Sequence, residues 1–378
     1  MIFGSPRRLD LRVVCTDTTP TTTSLDIWPL FPISISCRYT DEKGVENVIA
    51  AVEHGLDRIL HISINAINGR ALKKLAAAMQ QPLPTLKHFR LMSFDESVPV
   101  LPETFLGGSA PQLETFSLHG IPFPKFPQFI LSFTQIRYLS ISDISHSGYI
   151  PPNAMVACLA ALPNLQDLYI VFRSPLSRPS RITPPHTRSV LPALTGLSFY
   201  GVSEYFEDFV AQIDTPLLHG LNITFFMDLI FDISRLRHFV GRAERFKPLG
   251  QAVMEFRDRS IWFSDLYDFR RRFSLEIRCE RPDWQLSSMV QIFGQKLPLL
   301  SHVEQFEVFE YPHSNIQWID NPDMDSSLWM ELFHLFIGLQ SFYVSAKLVA
   351  PVAAALQELA EGRAMEVLPA VPSFLGRT

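Results

Sequence analysis

Seven side chains stand where they can make directed contacts with another molecule: His88, Arg90, His119, Tyr138, Tyr169, Tyr200 and Asn222. Tyrosine and arginine combine large contact area with directed hydrogen bonds, which is the chemistry of an interface anchor. The histidines are isolated and define no acid–base pair. The chain holds no Gly-x-x-x-x-Gly-Lys, Gly-x-Gly-x-x-Gly, His-Glu-x-x-His or Gly-x-Ser-x-Gly. Those spacings would cradle phosphates or dinucleotides, bind zinc or expose an activated serine. Asp320-Asn321-Pro322-Asp323-Met324-Asp325 has the look of a calcium loop. Pro322 and Met324 stand where oxygen ligands are required, so it reads as a turn with Asp325 or Ser326 capping a helix over 328–336. Arg270-Arg271-Arg272 has no interleaved aromatic residue and reads as a solvated turn, not a nucleic-acid site. No catalytic residue, cofactor site or metal site is assigned.

Elements that would position the seven are written in a repeated apolar template, Leu-x-x-Leu-x-Leu-x-x-apolar. It runs Ile59/Ile62/Ile64/Ile67, Leu86/Phe89/Leu91/Phe94, Leu113/Phe116/Leu118/Ile121 and Ile136/Leu139/Ile141/Ile144. It continues at Leu165/Leu168/Ile170, Leu194/Leu197/Phe199/Val202, Leu218/Leu221/Ile223, Val303/Phe306/Val308/Tyr311 and Leu339/Phe342/Val344. Steps between position four of successive copies, from Ile62 to Leu221, are 27, 27, 23, 29, 29 and 24 residues. This period and template are those of a leucine-rich repeat, one strand and one helical return per turn of a solenoid. Alternate strand residues point to opposite faces, so Leu-x-Leu sends two side chains into one interior. The residues between and beside them face outward: His61/Ser63/Asn65, His88/Arg90/Met92, Thr115/Ser117/His119, Tyr138/Ser140/Ser142, Asp167/Tyr169/Val171, Gly196/Ser198/Tyr200 and Gly220/Asn222/Thr224. The seven candidates belong to this set. Tyrosine and threonine also suit a pleated surface for its own sake.

Return helices are expected at 45–53, 71–79, from Pro151-Pro152-Asn153 through Leu162, and at 205–213 with Ser203 as its cap. Glu204, Glu207 and Asp208 suit the positive end of that last helix. Between Leu221 and Phe306 the pattern loosens. Ala252-x-Met254-x-Phe256, Ser260-Ile261-Trp262-Phe263 and Phe273-x-Leu275-x-Ile277 read as strands, the first two joined as a hairpin by Arg257-Asp258-Arg259. Leu9-x-Leu11-x-Val13 and Ile33-x-Ile35-x-Cys37 extend the strands to the start of the chain. The Pro- and Arg-bearing stretch 174–189 and the Thr-rich stretch 18–24 read as exposed loops.

At 378 residues and 47% apolar the chain can build a large core, and a net charge of −5 gives no general attraction for nucleic acid or anionic membrane. No apolar run is long enough to span a bilayer, and Met1 to Arg8 carry no secretory signal. Cys15, Cys37, Cys158 and Cys279 form no Cys-x-x-Cys pair, which suits free thiols in a reducing compartment, cytoplasmic or nuclear. Asn222-Ile223-Thr224 is formally a glycosylation sequon, but it lies in a strand, and Asn222 reads as a surface residue of the sheet.

The segments Asp26-Ile27-Trp28-Pro29-Leu30-Phe31-Pro32-Ile33, Ile49-Ala50-Ala51-Val52-Glu53-His54, Leu75-Ala76-Ala77-Ala78-Met79-Gln80 and Asp283-Trp284-Gln285-Leu286-Ser287 resemble a large family of F-box and leucine-rich-repeat proteins of mushroom-forming fungi. The resemblance implies an F-box that docks on a Skp-type adaptor of a cullin ubiquitin ligase, and repeats that present a surface to a substrate. No F-box opening precedes the first strand here, so the chain resembles the repeat part of such a protein.

The expected architecture is α/β: one leucine-rich-repeat solenoid over 1–378, a curved and mostly parallel sheet with helices on its convex side. Irregular repeats would occupy 1–58, regular ones 59–224, irregular ones with a hairpin 225–300, and C-terminal repeats with an end helix 301–378. The expected function is non-enzymatic binding of a protein partner on the concave sheet, with a Skp-type adaptor joined only through an upstream F-box. The alternatives are a compact α/β enzyme or a gene fragment without function. A doubly wound enzyme would show near-continuous Val/Ile strands and Gly-rich turns, which this chain lacks.

Overall fold

Alternation of apolar and polar residues decides which face of each strand is buried, and stacking of successive strands turns that alternation into one apolar layer. The computed structural model describes residues 11–16, 31–38, 42–123, 126–174, 187–226, 231–243, 245–246, 248–265, 272–279, 281, 284–311, 326–362 and 373–377. Residues 18–24, the interior of the 174–189 stretch, Arg270, Arg271 and the Asp320–Asp325 run lie outside them, as does Leu9. The chain divides into two compact units, Met1–Arg173 and Ser174–Thr378.

In the first unit the strands are β1 (Leu11–Val14), β2 (Ile33–Cys37), β3 (Ile59–Ile64), β4 (His88–Met92), β5 (Thr115–His119), β6 (Tyr138–Ile144) and β7 (Asp167–Phe172). They lie side by side in chain order, and every pair is parallel. The register sets Ile62 beside Phe89, Phe89 beside Phe116, Phe116 beside Leu139 and Leu139 beside Leu168, so equivalent template positions form one row. All five side chains are buried.

Between the strands run α1 (Glu42–His54), α2 (Gly69–Ala78), α3 (Phe126–Ile130) and α4 (Pro152–Ala160). Asn68 caps α2 by accepting the Ala71 N–H at 2.8 Å. The helix buries Ala71, Leu72, Leu75 and Ala76, the stripe expected of a one-sided helix. Proline opens α4 in its first turn, as its fixed φ allows. Helices cover the inward face: Phe116 of β5 meets Phe126 and Phe129 of α3 at ring-centroid distances of 6.0 and 5.9 Å.

Three template positions depart from the expected burial, Val202 being half-buried. Phe94 and Tyr311, read as inward, are 64% and 45% exposed. At the first of these, Ser93 is buried instead, because its hydroxyl donates to the Ile67 carbonyl at 2.7 Å and turns the next residue outward.

The second unit is mixed. Its main strands are β9 (Gly196–Gly201), β11 (Gly220–Phe225), β12 (Gln251–Arg257), β13 (Ser260–Asp265), β14 (Phe273–Arg278), β15 (Gln305–Glu310), β16 (Ser341–Ser345) and β17 (Ser373–Arg377). Two short strands, β8 (Ser189–Val190) and β10 (Ile213–Asp214), pair separately. The main order is β9-β11-β14-β13-β12-β15-β16-β17. The expected hairpin is present: β12 and β13 are antiparallel, with Arg257 opposite Ser260. Strand β13 is also antiparallel to β14, which places β14, not β12, against β11. The irregular stretch expected here thus reverses strand direction twice over 251–278.

The helices here are α5 (Ser203–Val210), α6 (Ser234–Arg242), α7 (Trp284–Phe293), α8 (Ser326–His334) and α9 (Val349–Gly362). Ser203 is not the cap of α5; Val202 holds that place and Ser203 is already helical. Phe263 of β13 meets Phe293 of α7 at 4.7 Å, and Phe342 of β16 meets Phe333 of α8 at 5.2 Å, so helices again back the apolar face. Both units are thus α/β, with mostly parallel strands and helices behind them. Among the described residues no helix is long and apolar enough to cross a membrane.

Candidate functional site

On the strands of the first unit, the side chains that alternate with the buried row stand on the face away from the helices. Five of the seven candidate residues lie there. Tyr138 and Tyr169, on neighbouring strands, bring their rings together at 5.5 Å, tilted by 39°. Tyr169 is 39% exposed. Tyr138 is half-buried, and burial, with Tyr169 beside it, holds its hydroxyl above the usual phenol pKa.

The histidines are committed to their neighbours. His88 Nδ1 lies 3.0 Å from Thr115 Oγ1, and its ring meets His61 edge-on at 4.4 Å. His119 Nδ1 lies 2.9 Å from Ser142 Oγ, with Phe94 across it at 5.2 Å. Burial lowers both imidazole pKa values below 6.5. His61 and Lys87 lower His88 further, against Glu114; Arg173 and Arg90 lower His119 further, against Asp143. Both rings are therefore neutral at pH 7 and serve as bridges between strands. Arg90 is exposed, and its Nε donates to the weak acceptor Met92 Sδ at 3.2 Å. At the edge of the patch, Arg173 forks onto Asp143, with Nε and Nη2 at 2.9 and 2.6 Å from the two carboxylate oxygens.

Tyr200 and Asn222 belong to the second unit. Asn222 spends its amide inside the sheet: Nδ2 donates to Ser198 Oγ at 3.4 Å, and Oδ1 accepts from Ser274 Oγ at 2.8 Å. It is a half-buried strand link, not a free contact residue. Tyr200 lies under the Arg278 guanidinium, 4.8 Å from its carbon, and beside Phe226 at 4.8 Å. Burial raises its phenol pKa, although Arg278 opposes the shift.

Several residues not singled out from the sequence continue this face. Arg257 stands 5.3 Å from the Trp262 ring and 5.9 Å from that of Tyr311. Its Nε donates to Glu255 Oε1 at 2.6 Å, and Glu276 Oε1 lies 3.8 Å from Nη1. The available signal was alternation: Glu255-x-Arg257, Glu276-x-Arg278 and Glu307-x-Phe309 put charge or aromatic bulk two residues apart, between apolar positions.

A second cluster lies between α5 and α6. A cavity of about 220 Å³ is lined by Glu204, Glu207, Asp208, Asp232, Ser234 and Arg235. Burial raises the Glu207 carboxyl to about 7, against two backbone hydrogen bonds that favour its charge. Those bonds come from Arg235 N at 2.7 Å and Leu236 N at 2.8 Å, and Asp208 pairs with the Arg235 side chain. These carboxylates are occupied in holding α6, so the cluster is architectural. Among the described residues no group of three or more His, Cys, Asp or Glu side chains can hold a metal ion. All four cysteines are buried and outside any disulfide, and burial lifts Cys15 to about 12 and Cys158 to about 11, leaving both as unreactive thiols.

Compared with known proteins, the chain matches no protein-family model and no curated protein.

Proposed function

We propose that the chain is a leucine-rich-repeat solenoid that binds a protein partner on its outward sheet face and carries out no reaction. One observation carries this reading: the Tyr138–Tyr169 pair and the exposed Arg90 stand on the face of the first unit's strands opposite its described helices. Aromatic and arginine anchors on a rigid sheet suit recognition, because little side-chain freedom is lost when a partner seats on them. In-register rows of one template, repeated at steps in the twenties, support the repeat assignment. The resemblance to fungal F-box and leucine-rich-repeat proteins makes the partner a substrate to be presented to a ubiquitin ligase, with a Skp-type adaptor bound through an F-box.

The test is affinity capture with mass spectrometry, comparing the unmutated chain with a Tyr138→Ala, Tyr169→Ala, Tyr200→Ala variant. A protein retained by the first and lost by the second supports the reading. An unchanged set of partners removes this face from recognition.

A further inference from the structure

We infer that the hollow at the C-terminal ends of β15 and β16 is a receptor for a cationic side chain, an arginine presented by a partner peptide. The inference carries the binding reading above into the second unit and rests on it. The hollow has a volume of about 520 Å³, and its lining includes Glu307, Phe309, Glu310, Tyr343, Ser345 and Lys347. Two carboxylates and two aromatic rings thus surround a space large enough for a guanidinium and its apolar stem, with a single ammonium among them.

One carboxylate oxygen in this space has no donor among the described residues. Glu307 is only 6% exposed, a rare state for a charged side chain, and accepts from Gln305 Nε2 at 3.2 Å. Glu310, its side chain 12% exposed, gives Oε1 to Lys347 Nζ at 3.0 Å. Among the described residues its Oε2 is buried with no donor, and Ser345 Oγ, also in the lining, is likewise buried with no partner. Unsatisfied buried oxygens are costly, and a guanidinium brings five N–H donors in a planar fork. Aromatic faces such as those of Phe309 and Tyr343 attract the same cation.

The neighbouring strand β12 already holds one guanidinium in this manner. Arg257 lies between Trp262 and Tyr311 and is bonded to Glu255, with Glu276 close by. An incoming arginine at Glu307 and Glu310 would repeat that arrangement on the neighbouring strands. Lys347, whose side chain is 64% exposed, is a weak internal competitor for Glu310.

Fluorescence anisotropy on the full chain tests the assignment with fluorescein-labelled nonapeptides carrying a central arginine, citrulline or glutamate. The arginine peptide should bind about tenfold or more tightly than citrulline, which keeps the shape without the charge, and added salt should weaken it. Glu307→Gln and Glu310→Gln should each reduce arginine binding by about tenfold, whereas Lys347→Ala should strengthen it by removing the competitor. Lys347→Ala changes an exposed side chain, so it reports on the hollow even where a glutamate variant misfolds. Equal binding of arginine and citrulline, no binding of either, or weakening by Lys347→Ala overturns the inference. If that occurs while the tyrosine variant still loses its partner, this inference fails alone; if the tyrosine variant keeps every partner and the arginine peptide still binds, only the first reading fails.

Discussion

Glu207 on α5 caps the helix that follows it: its carboxylate accepts the Leu236 N–H at 2.8 Å, across 29 residues of chain, while its other oxygen takes the N–H of Arg235. Helix α5 thereby supplies the missing acceptor for the first turn of α6, where backbone donors have no partner within their own helix. The arrangement stacks α5 on α6.

Burial of this carboxyl, against those two hydrogen bonds, makes stability depend on pH. The Glu207 carboxyl titrates near 7 in the folded chain, against 4.5 ordinarily, so between these values the folded state holds a proton that the unfolded state has released. Stability is complete below pH 4.5 and falls as pH rises towards 7, by about 3 kcal/mol from this group alone. Thermal unfolding at a series of pH values should show that slope, and Glu207→Gln should remove it. A slope of the same size in the variant would refute the assignment.

His88 and His119 act with the opposite sign in the first unit. Their folded pKa values lie below 6.5, so acidification through that region protonates the unfolded chain first and stability falls. Histidine resonances followed by NMR should titrate below 6.5. Values above it would contradict the burial that holds both rings neutral.

Leu168 is fully buried, in register with Leu139. Leu168→Asp places an unpaired charge inside the apolar layer and should cost roughly 3 kcal/mol or more, melting the adjoining strands. Circular dichroism during thermal unfolding would detect this, and an unchanged melting temperature would exclude the packing described.

Gly120 has a φ of +68°, and a Cβ there would stand 2.2 Å from the Ser93 carbonyl oxygen. Gly120→Ala should therefore cost about 2 kcal/mol or more, combining left-handed strain with a clash against backbone. Gly250, where a Cβ would meet nothing within 4 Å, is the control. Its replacement by alanine should be neutral or stabilising by up to about 1 kcal/mol. Denaturant unfolding of the two variants separates these outcomes.

Tyr138→Ala and Tyr169→Ala test the ring pair itself. A double-mutant cycle on stability should give a coupling of about 0.5–1 kcal/mol, since the rings meet at 5.5 Å on a partly solvated face. The same pair should contribute on the order of 2 kcal/mol per ring to partner affinity if both act as anchors. A coupling of zero would mean that the rings do not meet in solution.

The amino-acid sequence alone determined the strands and their buried faces. Alternation has a period of two, and a template repeated at steps in the twenties brings Ile62, Phe89, Phe116, Leu139 and Leu168 to equivalent places. Even the β12–β13 hairpin was legible, because Arg257-Asp258-Arg259 separates two short apolar-rich runs. What the tertiary structure decided are contacts between residues far apart in the chain. Asn222 reads as a free surface amide until Ser198 and Ser274 are placed on either side of it. Glu207 reads as a charge suited to its own helix until α6 is laid against it. Strand β14 reached β11 only because β12 and β13 folded back antiparallel. Local patterns encode which face of an element is apolar, since a side chain's direction depends on its own backbone. The partner of a polar group depends instead on which strand or helix is packed beside it, and that is settled only when the layers assemble.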